Sequence, residues 1–282
     1  EKKSFQIEIQ EYVELLCFIL WQSGRTNKAG QEMLKQINDI FDYFKLDLAA
    51  MKEAKKLGLT LGDFKKVKLS HKHPALETSY NAITSAPLLF DLQIALLINE
   101  SGTEFITSDS PTVLFNMYFN SKSKGGQTGY ASKGLQIYLP LTPNLMILLY
   151  DPHYYAIPFK KNLTHVLKKN KDIRRLNGLQ LIFGFNNVYF SNYRESDLKQ
   201  QFKELKQKRE EETIIESLRT KQKDDRYSEL IHFTKDNAIY DLTKLSFFIV
   251  NPGADSNPGV RNPDAVEEHR KQMKKMFPKI EK

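Results

Sequence analysis

Residues 107–115 read TSDSPTVLF, and at this stretch the pattern of the chain changes from helical to extended. Pro111 donates no backbone hydrogen bond, and an acidic residue between two serines is typical of a tight turn. The segments on either side, EFITSD and PTVLFN, have the pattern of strands. The sequence therefore predicts that Asp109 lies in a turn between two strands.

The hundred residues before this turn are predicted to be all-helical. Apolar residues recur at helical spacing over residues 5–22, 31–57 and 75–99, which favours three long helical segments. The polar stretch QSGRTNKAG ends the first, and Pro87 starts or kinks the apolar half of the third. We expect these helices to form one layer of the fold.

Strand patterns continue after the turn. LQIYLPL and LMILLYD flank a second turn at TPN, so we expect a small antiparallel sheet over about residues 104–150, with the mobile loop SKSKGGQTG between its strand pairs. Helical patterns return over residues 164–185 and 195–223, separated by the short strand NVYFS. The predicted fold class is α+β, mainly helical with a small antiparallel sheet.

The carboxyl-terminal part of the chain differs in composition from the rest. Residues 224–282 contain a loop rich in Pro, Asn and Gly and end in a charged helix. We expect a helical domain with an inserted sheet over residues 1–223, followed by an appended tail. This tail is a candidate docking element.

The composition limits the class of protein. Forty-two Lys and Arg against 34 Asp and Glu give a net charge of +8, which favours acidic partners such as nucleic acid. The single cysteine, Cys17, excludes an intrachain disulfide and is typical of a reducing, cytoplasmic compartment. The apolar runs are shorter than the ~20 residues that span a bilayer, so no membrane partner is expected. The chain does not begin with Met, from which we expect further residues before Glu1.

Asp109 is the candidate catalytic residue. A carboxylate at a strand end could coordinate a hard metal ion or activate water, with His153 of the segment DPHYY as its acid or base partner. The alternative is that Asp109 accepts hydrogen bonds from backbone N–H groups and fixes the turn. The sequence predicts no set of metal ligands and identifies no cofactor.

Four further residues are candidates for ligand binding. Arg25, Thr107, Ser108 and Asn177 are polar groups at the ends of apolar segments, where a fold commonly gathers them. The basic run YAIPFKKNLTHVLKKNKDIRR could follow a nucleic-acid backbone with its lysines while an aromatic residue stacks on a base. An amphipathic surface helix accounts for the same run, so both interpretations stay open.

FITSDSP, LPLTPNLMILLYD and LNGLQLIFGFNNVYFS, preceded by a helix that ends in WQSGRT, together resemble a bacterial family known as domain of unknown function 4238. The resemblance spans roughly residues 8–192. It departs from the family at Ser110, where members typically have Asn, and in an amino-terminal segment containing His, Tyr and Pro that this chain lacks. The resemblance implies little about activity. The residues that match the family's motifs are Arg25, Thr107, Ser108, Asp109, Pro111, Pro140, Leu141, Pro143 and Asn177.

Three functional hypotheses follow. The first is a polar pocket around the TSDSP turn that binds nucleic acid or another anionic ligand, with a toxin or phage-defence role implied only by association. The second is a metal-dependent phosphodiester hydrolase, a nuclease that uses Asp109. The third is a structural protein that docks a partner subunit through the 195–223 helix or the tail.

Overall fold

The computed structural model describes residues 7–50, 52–119, 127–158, 163–206, 212–221, 227–236 and 245–276. The α+β class is confirmed, because helices flank a small sheet. Most of the predicted mobile loop at 121–129 lies outside the described residues. None of the helices within these ranges is long and apolar enough to cross a membrane.

The amino-terminal helices pack closely on one another. Gly24 ends the first helix where the chain passes the fifth: a Cβ at Gly24 would lie 2.5 Å from the carbonyl oxygen of Thr78. Only glycine allows this approach, and the Thr78 hydroxyl donates to the Gly24 carbonyl at 2.6 Å. The helices are α1 (Ile9–Gly24), α2 (Asn27–Ala50), α3 (Lys52–Lys56), α4 (Leu61–Lys66) and α5 (Pro74–Ile83), followed by a 3₁₀ turn at Ala86–Leu89.

The main sheet has five strands in the order β3 (Val113–Phe115), β4 (Gln136–Thr142), β5 (Leu145–Tyr150), β1 (Gln93–Asn99) and β7 (Thr164–Leu167). Its pairs are antiparallel except for β1 and β7, which are parallel, so the sheet is mixed. Ile147 of the central strand pairs with Leu96 on one side and Leu139 on the other. Two short strands, β2 (Thr107–Ser108) and β6 (Tyr155–Ala156), lie outside this sheet.

Two helical predictions are wrong at this sheet. Residues 93–99 and 164–167 are strands, although both were expected to be helical. The sequence QIALLIN is apolar on both faces because β1 lies inside the sheet, and periodicity alone cannot distinguish such a run from a buried helix. In β7, Thr164 and Val166 are β-branched residues, which favour extended backbone.

The sheet separates two apolar layers. On one face, Leu16, Ile19 and Leu20 of α1 pack in a cluster with Ile137 and Leu149. The other face carries Tyr138, Leu148 and Tyr150, which pack against the helix α6 (Asn170–Phe183) and the carboxyl-terminal segment. This alternation along β4 and β5 produces a three-layer arrangement with the sheet at the centre.

The predicted helix at 195–223 is shorter than expected. Helix α7 spans Glu195–Lys206, and β9 (Glu212–Lys221) then pairs antiparallel with β10 (Tyr227–Asp236). The run Thr213-Ile214-Ile215 is β-branched, which favours a strand over the helix that the charged flanking residues indicated. Residues 207–211 lie outside the description.

The described part of the tail packs on the same core as the sheet. Leu245, Phe247 and Phe248 are buried beside Tyr150, and Arg261 forms an ion pair with Asp91 at 3.0 Å. The Arg261 side chain is only 2% exposed. The remaining elements are β8 (Val188–Tyr189), which pairs with β2; β11 (Ile249–Val250), which pairs with β6; and α8 (Pro263–Met276).

Candidate functional site

The segment containing the TSDSP turn is held against α6 by a buried amide. Asn177 is fully buried; its Oδ1 accepts from the Ile106 N–H at 3.1 Å, and its Nδ2 donates to the Glu104 carbonyl at 2.8 Å. A side chain that bridges two backbone groups in this way mimics the pairing of a strand. Both ends of the Asn177 amide are therefore engaged within the protein.

A second amide, one helical turn later, repeats the arrangement. The Ser108 hydroxyl donates to Gln180 Oε1 at 2.8 Å, and Gln180 Nε2 donates to the Pro111 carbonyl at 2.9 Å. Both Ser108 and Gln180 are buried. Sequence reasoning did not select Gln180, although a polar residue three positions after Asn177 in an apolar helix marks the same face.

Asp109 accepts hydrogen bonds from the loop that follows α6. Its Oδ1 accepts from the Phe185 N–H at 2.9 Å, and its Oδ2 accepts from the N–H groups of Asn186 and Asn187 at 2.9 and 3.0 Å. Burial alone would raise the pKa of Asp109, but these hydrogen bonds outweigh it and hold the pKa below 3.8. The donors come from a distant loop and not from the turn itself.

Glu104, five residues earlier in the sequence, also accepts hydrogen bonds from a distant segment of backbone. Its Oε1 accepts from the N–H groups of Ser191, Asn192 and Tyr193 at 2.9, 2.7 and 2.8 Å. Its Oε2 is buried and has no hydrogen-bond partner among the described residues. Sequence reasoning did not select Glu104, because nothing in the sequence shows that it faces a loop nearly ninety residues away.

A cleft of about 600 Å³ opens beside Glu104, and we call it the basic cleft. The exposed guanidinium groups of Arg174 and Arg194 line it, and neither makes a hydrogen bond or ion pair with the described residues. Asp197 and Glu104 contribute carboxylates. The lining residues are Ser101, Gly102, Thr103, Glu104, Pro143, Asn144, Arg174, Ser191, Asn192, Tyr193, Arg194 and Asp197.

A second opening of about 450 Å³ continues from the basic cleft along the start of α6. Arg174 lines both openings, and Lys171 and Arg175 line the second one. Tyr193, on the wall of the basic cleft, has a pKa raised by burial, with Arg174 opposing the shift. Its phenol is therefore protonated at neutral pH and is a hydrogen-bond donor.

The other predicted site residues lie outside the basic cleft. Arg25 is exposed, donates from Nε to Gln22 Oε1 at 2.7 Å and stacks 5.3 Å from the Trp21 ring centre. Thr107 is half-buried in the β2–β8 pair. His153 has an exposed imidazole. The structure thus brings Ser108, Asp109 and Asn177 into one region, without Arg25 or His153 among their hydrogen-bond partners.

Within the described ranges, no group of three or more His, Cys, Asp or Glu side chains is positioned to hold a metal ion. The hydrogen bonds of Asp109 occupy both of its oxygens, which is the arrangement of the structural alternative. The charged groups of the basic cleft can act chemically by electrostatic attraction and by hydrogen bonding. An oxyanion is the ligand that two guanidinium groups recognise best.

Comparisons with known proteins agree with the sequence motifs. No curated protein and no solved structure matches the chain. The family model described as "Protein of unknown function (DUF4238)" matches residues 2–194, more than half of the 282 residues. The match includes the TSDSP segment, the sheet and α6, as the resemblance predicted. The chain therefore belongs to the DUF4238 family of proteins of unknown function.

Proposed function

We propose that the protein binds a phosphate-bearing polyanion, with nucleic acid as the ligand class, at the basic cleft and the adjoining start of α6. The observation that supports this most strongly is the pair of guanidinium groups on Arg174 and Arg194. Both face a large cleft without a protein partner among the described residues. A guanidinium presents donors in a fork that matches phosphate oxygens.

The surrounding surface extends the positive charge. Lys168, Lys169 and Lys171 are exposed at the start of α6, on the same segment as Arg174 and Arg175. The first turn of a helix also carries a partial positive charge from its free N–H groups. This local concentration agrees with the net charge of +8 and favours a backbone of repeated phosphates over a single carboxylate.

Neutral groups in the basic cleft suit the other parts of a nucleotide. Asn144, Asn192 and the protonated phenol of Tyr193 are donors for phosphate or base oxygens. The Tyr193 ring is half-buried on the cleft wall, where an unpaired base could stack on it. These features favour a single-stranded nucleic acid.

Fluorescence anisotropy with labelled single-stranded RNA and DNA tests this proposal. We expect Arg174→Ala/Arg194→Ala to weaken binding about tenfold or more, and to make the slope of log K against log salt less negative by about 1.4. The matched control is Lys55→Ala/Lys56→Ala, which removes two exposed charges from α3. Equal affinity for wild type and the arginine variant, or an equal loss in the control, contradicts the proposal.

The nuclease alternative has no comparable support. It requires a free carboxylate on Asp109, whereas both oxygens accept backbone hydrogen bonds. The same preparations, incubated with the labelled strands and divalent metal ions, provide the direct comparison. We expect the strands to remain intact.

A further inference from the structure

A cavity of about 240 Å³, distinct from the basic cleft, is lined by residues of the TSDSP segment and of the corner between α1 and α2. Five hydroxyl-bearing residues line it, and we call it the hydroxyl cavity: Ser23, Thr26, Ser110, Thr112 and Thr128. We propose that the hydroxyl cavity binds a small neutral polyhydroxylated molecule of monosaccharide size. This site is separate from the basic cleft and does not depend on it.

The hydroxyl groups come from three distant parts of the chain. Ser23 and Thr26 belong to the α1–α2 corner, Ser110 and Thr112 to the TSDSP segment, and Thr128 to the loop before β4. Thr26, Ser110 and Thr112 are 5, 9 and 7% exposed. A hydroxyl both donates and accepts, which complements the hydroxyl groups of a sugar. The Thr26 hydroxyl already donates to the Ser23 carbonyl and accepts from the Ala29 N–H, so the other four hydroxyl groups are the ones offered to a ligand.

Ser110 provides the sharpest indication of a ligand. Its backbone N–H donates to Ser108 Oγ at 3.3 Å, but its own hydroxyl makes no hydrogen bond to the described residues. Thr112 has only a long contact of 3.4 Å to the Ile19 carbonyl. The Ser110 hydroxyl is therefore available to a ligand in this cavity, and the Thr112 hydroxyl can exchange its long contact for a closer partner.

The charge of the lining favours a neutral ligand. The charged residues that line the hydroxyl cavity are Lys28 and Glu32, so its formal charge is zero. Lys28 Nζ donates to the Phe183 carbonyl at 2.7 Å and lies 5.5 Å from the centre of the Phe183 ring. The basic cleft also balances Arg174 and Arg194 with two carboxylates, but the opening beside it adds Lys171 and Arg175, whereas Lys28 is the one cation among the described residues that line the hydroxyl cavity.

The remaining wall and the size agree with a sugar. Val113, Leu114 and Phe183 form an apolar side against which the C–H groups of a sugar ring can pack. A volume of about 240 Å³ corresponds to roughly eight water molecules at ~30 Å³ each. It lies below the ~300–1,000 Å³ of pockets for drug-sized ligands. A single ring with its hydroxyl groups fits, and a complete nucleotide does not.

Saturation-transfer NMR on the full chain tests the proposal with ribose, glucose, galactose, mannose and inositol as probes, and with inorganic phosphate as the anionic comparison. We expect saturation transfer to at least one neutral probe. We also expect that inorganic phosphate does not displace this probe. Ser110→Ala/Thr112→Val should weaken the affinity for that probe about tenfold or more, because two hydrogen bonds are lost. Thr84→Val, which removes the hydroxyl of a half-buried residue just after α5, outside the hydroxyl cavity, is the matched control.

The nearly isosteric single variant Thr112→Val is measured as well, so the test does not depend on the folding of the double variant. We expect an intermediate loss of affinity for Thr112→Val. Three results overturn the proposal: no transfer to any neutral probe, displacement of the probe by phosphate, or transfer that is unchanged in both cavity variants. None of these outcomes affects nucleic-acid binding at the basic cleft.

Discussion

Asp109 and Glu104 occupy equivalent positions on either side of the β2–β8 pair, yet they use their carboxylates differently. Each accepts hydrogen bonds from three consecutive backbone N–H groups, which precede β8 for Asp109 and follow β8 for Glu104. Asp109 distributes them over both oxygens, whereas Glu104 takes all of them on Oε1. Both acids thus hold backbone segments that flank β8, but Glu104 lines the basic cleft and Asp109 does not.

Replacing either acid by alanine should produce the largest loss of stability. We expect Asp109→Ala to lower the free energy of unfolding by about 2 kcal/mol, because three backbone donors lose their acceptor at roughly 0.5–1.5 kcal/mol each. Urea denaturation measures this loss. The control Glu268→Ala, on an exposed position of α8, should change stability by less than about 0.5 kcal/mol. A similar loss in Asp109→Ala and Glu268→Ala would show that the Asp109 carboxylate does not stabilise the loop at residues 185–187.

The amide substitutions separate the two acids more sharply. Asp109→Asn must direct its NH₂ group at a backbone donor, since both oxygens of Asp109 accept, and we expect a loss of about 1 kcal/mol. Glu104→Gln can place its carbonyl at the Oε1 position and its NH₂ at the unpartnered Oε2 position, so we expect less than about 0.5 kcal/mol. Equal losses in urea denaturation would remove the distinction between the two carboxylates.

The pH dependence of stability provides a smaller effect. Because the pKa of Asp109 in the folded protein lies below 3.8, its ionised form stabilises the fold at higher pH, and this contribution is lost as the pH falls through the folded-state pKa. We therefore expect the stability difference between wild type and Asp109→Asn to be constant from neutral pH to about pH 5 and to narrow below about pH 4. A difference that stays constant under acid conditions contradicts the assignment.

The strong local patterns of this chain were predictable, and the distant pairings were not. The turn at Asp109 and the β4–β5 hairpin followed from residue types alone. Strand β1 was mistaken for a helix because its apolar run is buried on both faces. The hydrogen-bond donors to Asp109 lie 76 to 78 residues away in sequence. This contact depends on tertiary packing, which no local sequence pattern encodes.

The basic run that ends in Arg175 was visible in the sequence as a candidate for nucleic-acid binding. Its partner in the basic cleft, Arg194, was not selected, because it stands alone between a short strand and α7. The hydrogen bonds from Tyr193 and its neighbours to Glu104, together with the burial of Leu198 against the core, fix that segment beside α6. Arg194 becomes part of a candidate binding site only because the tertiary structure places it in the same cleft as Arg174.

The most direct test of the account compares nucleic-acid affinity in two folded variants, Asp109→Asn and Arg174→Ala/Arg194→Ala, each checked by circular dichroism. We expect Asp109→Asn to bind labelled single-stranded RNA or DNA within about threefold of wild type, and the arginine variant to lose about tenfold or more in affinity. Loss of binding in Asp109→Asn with full binding in the arginine variant would contradict it.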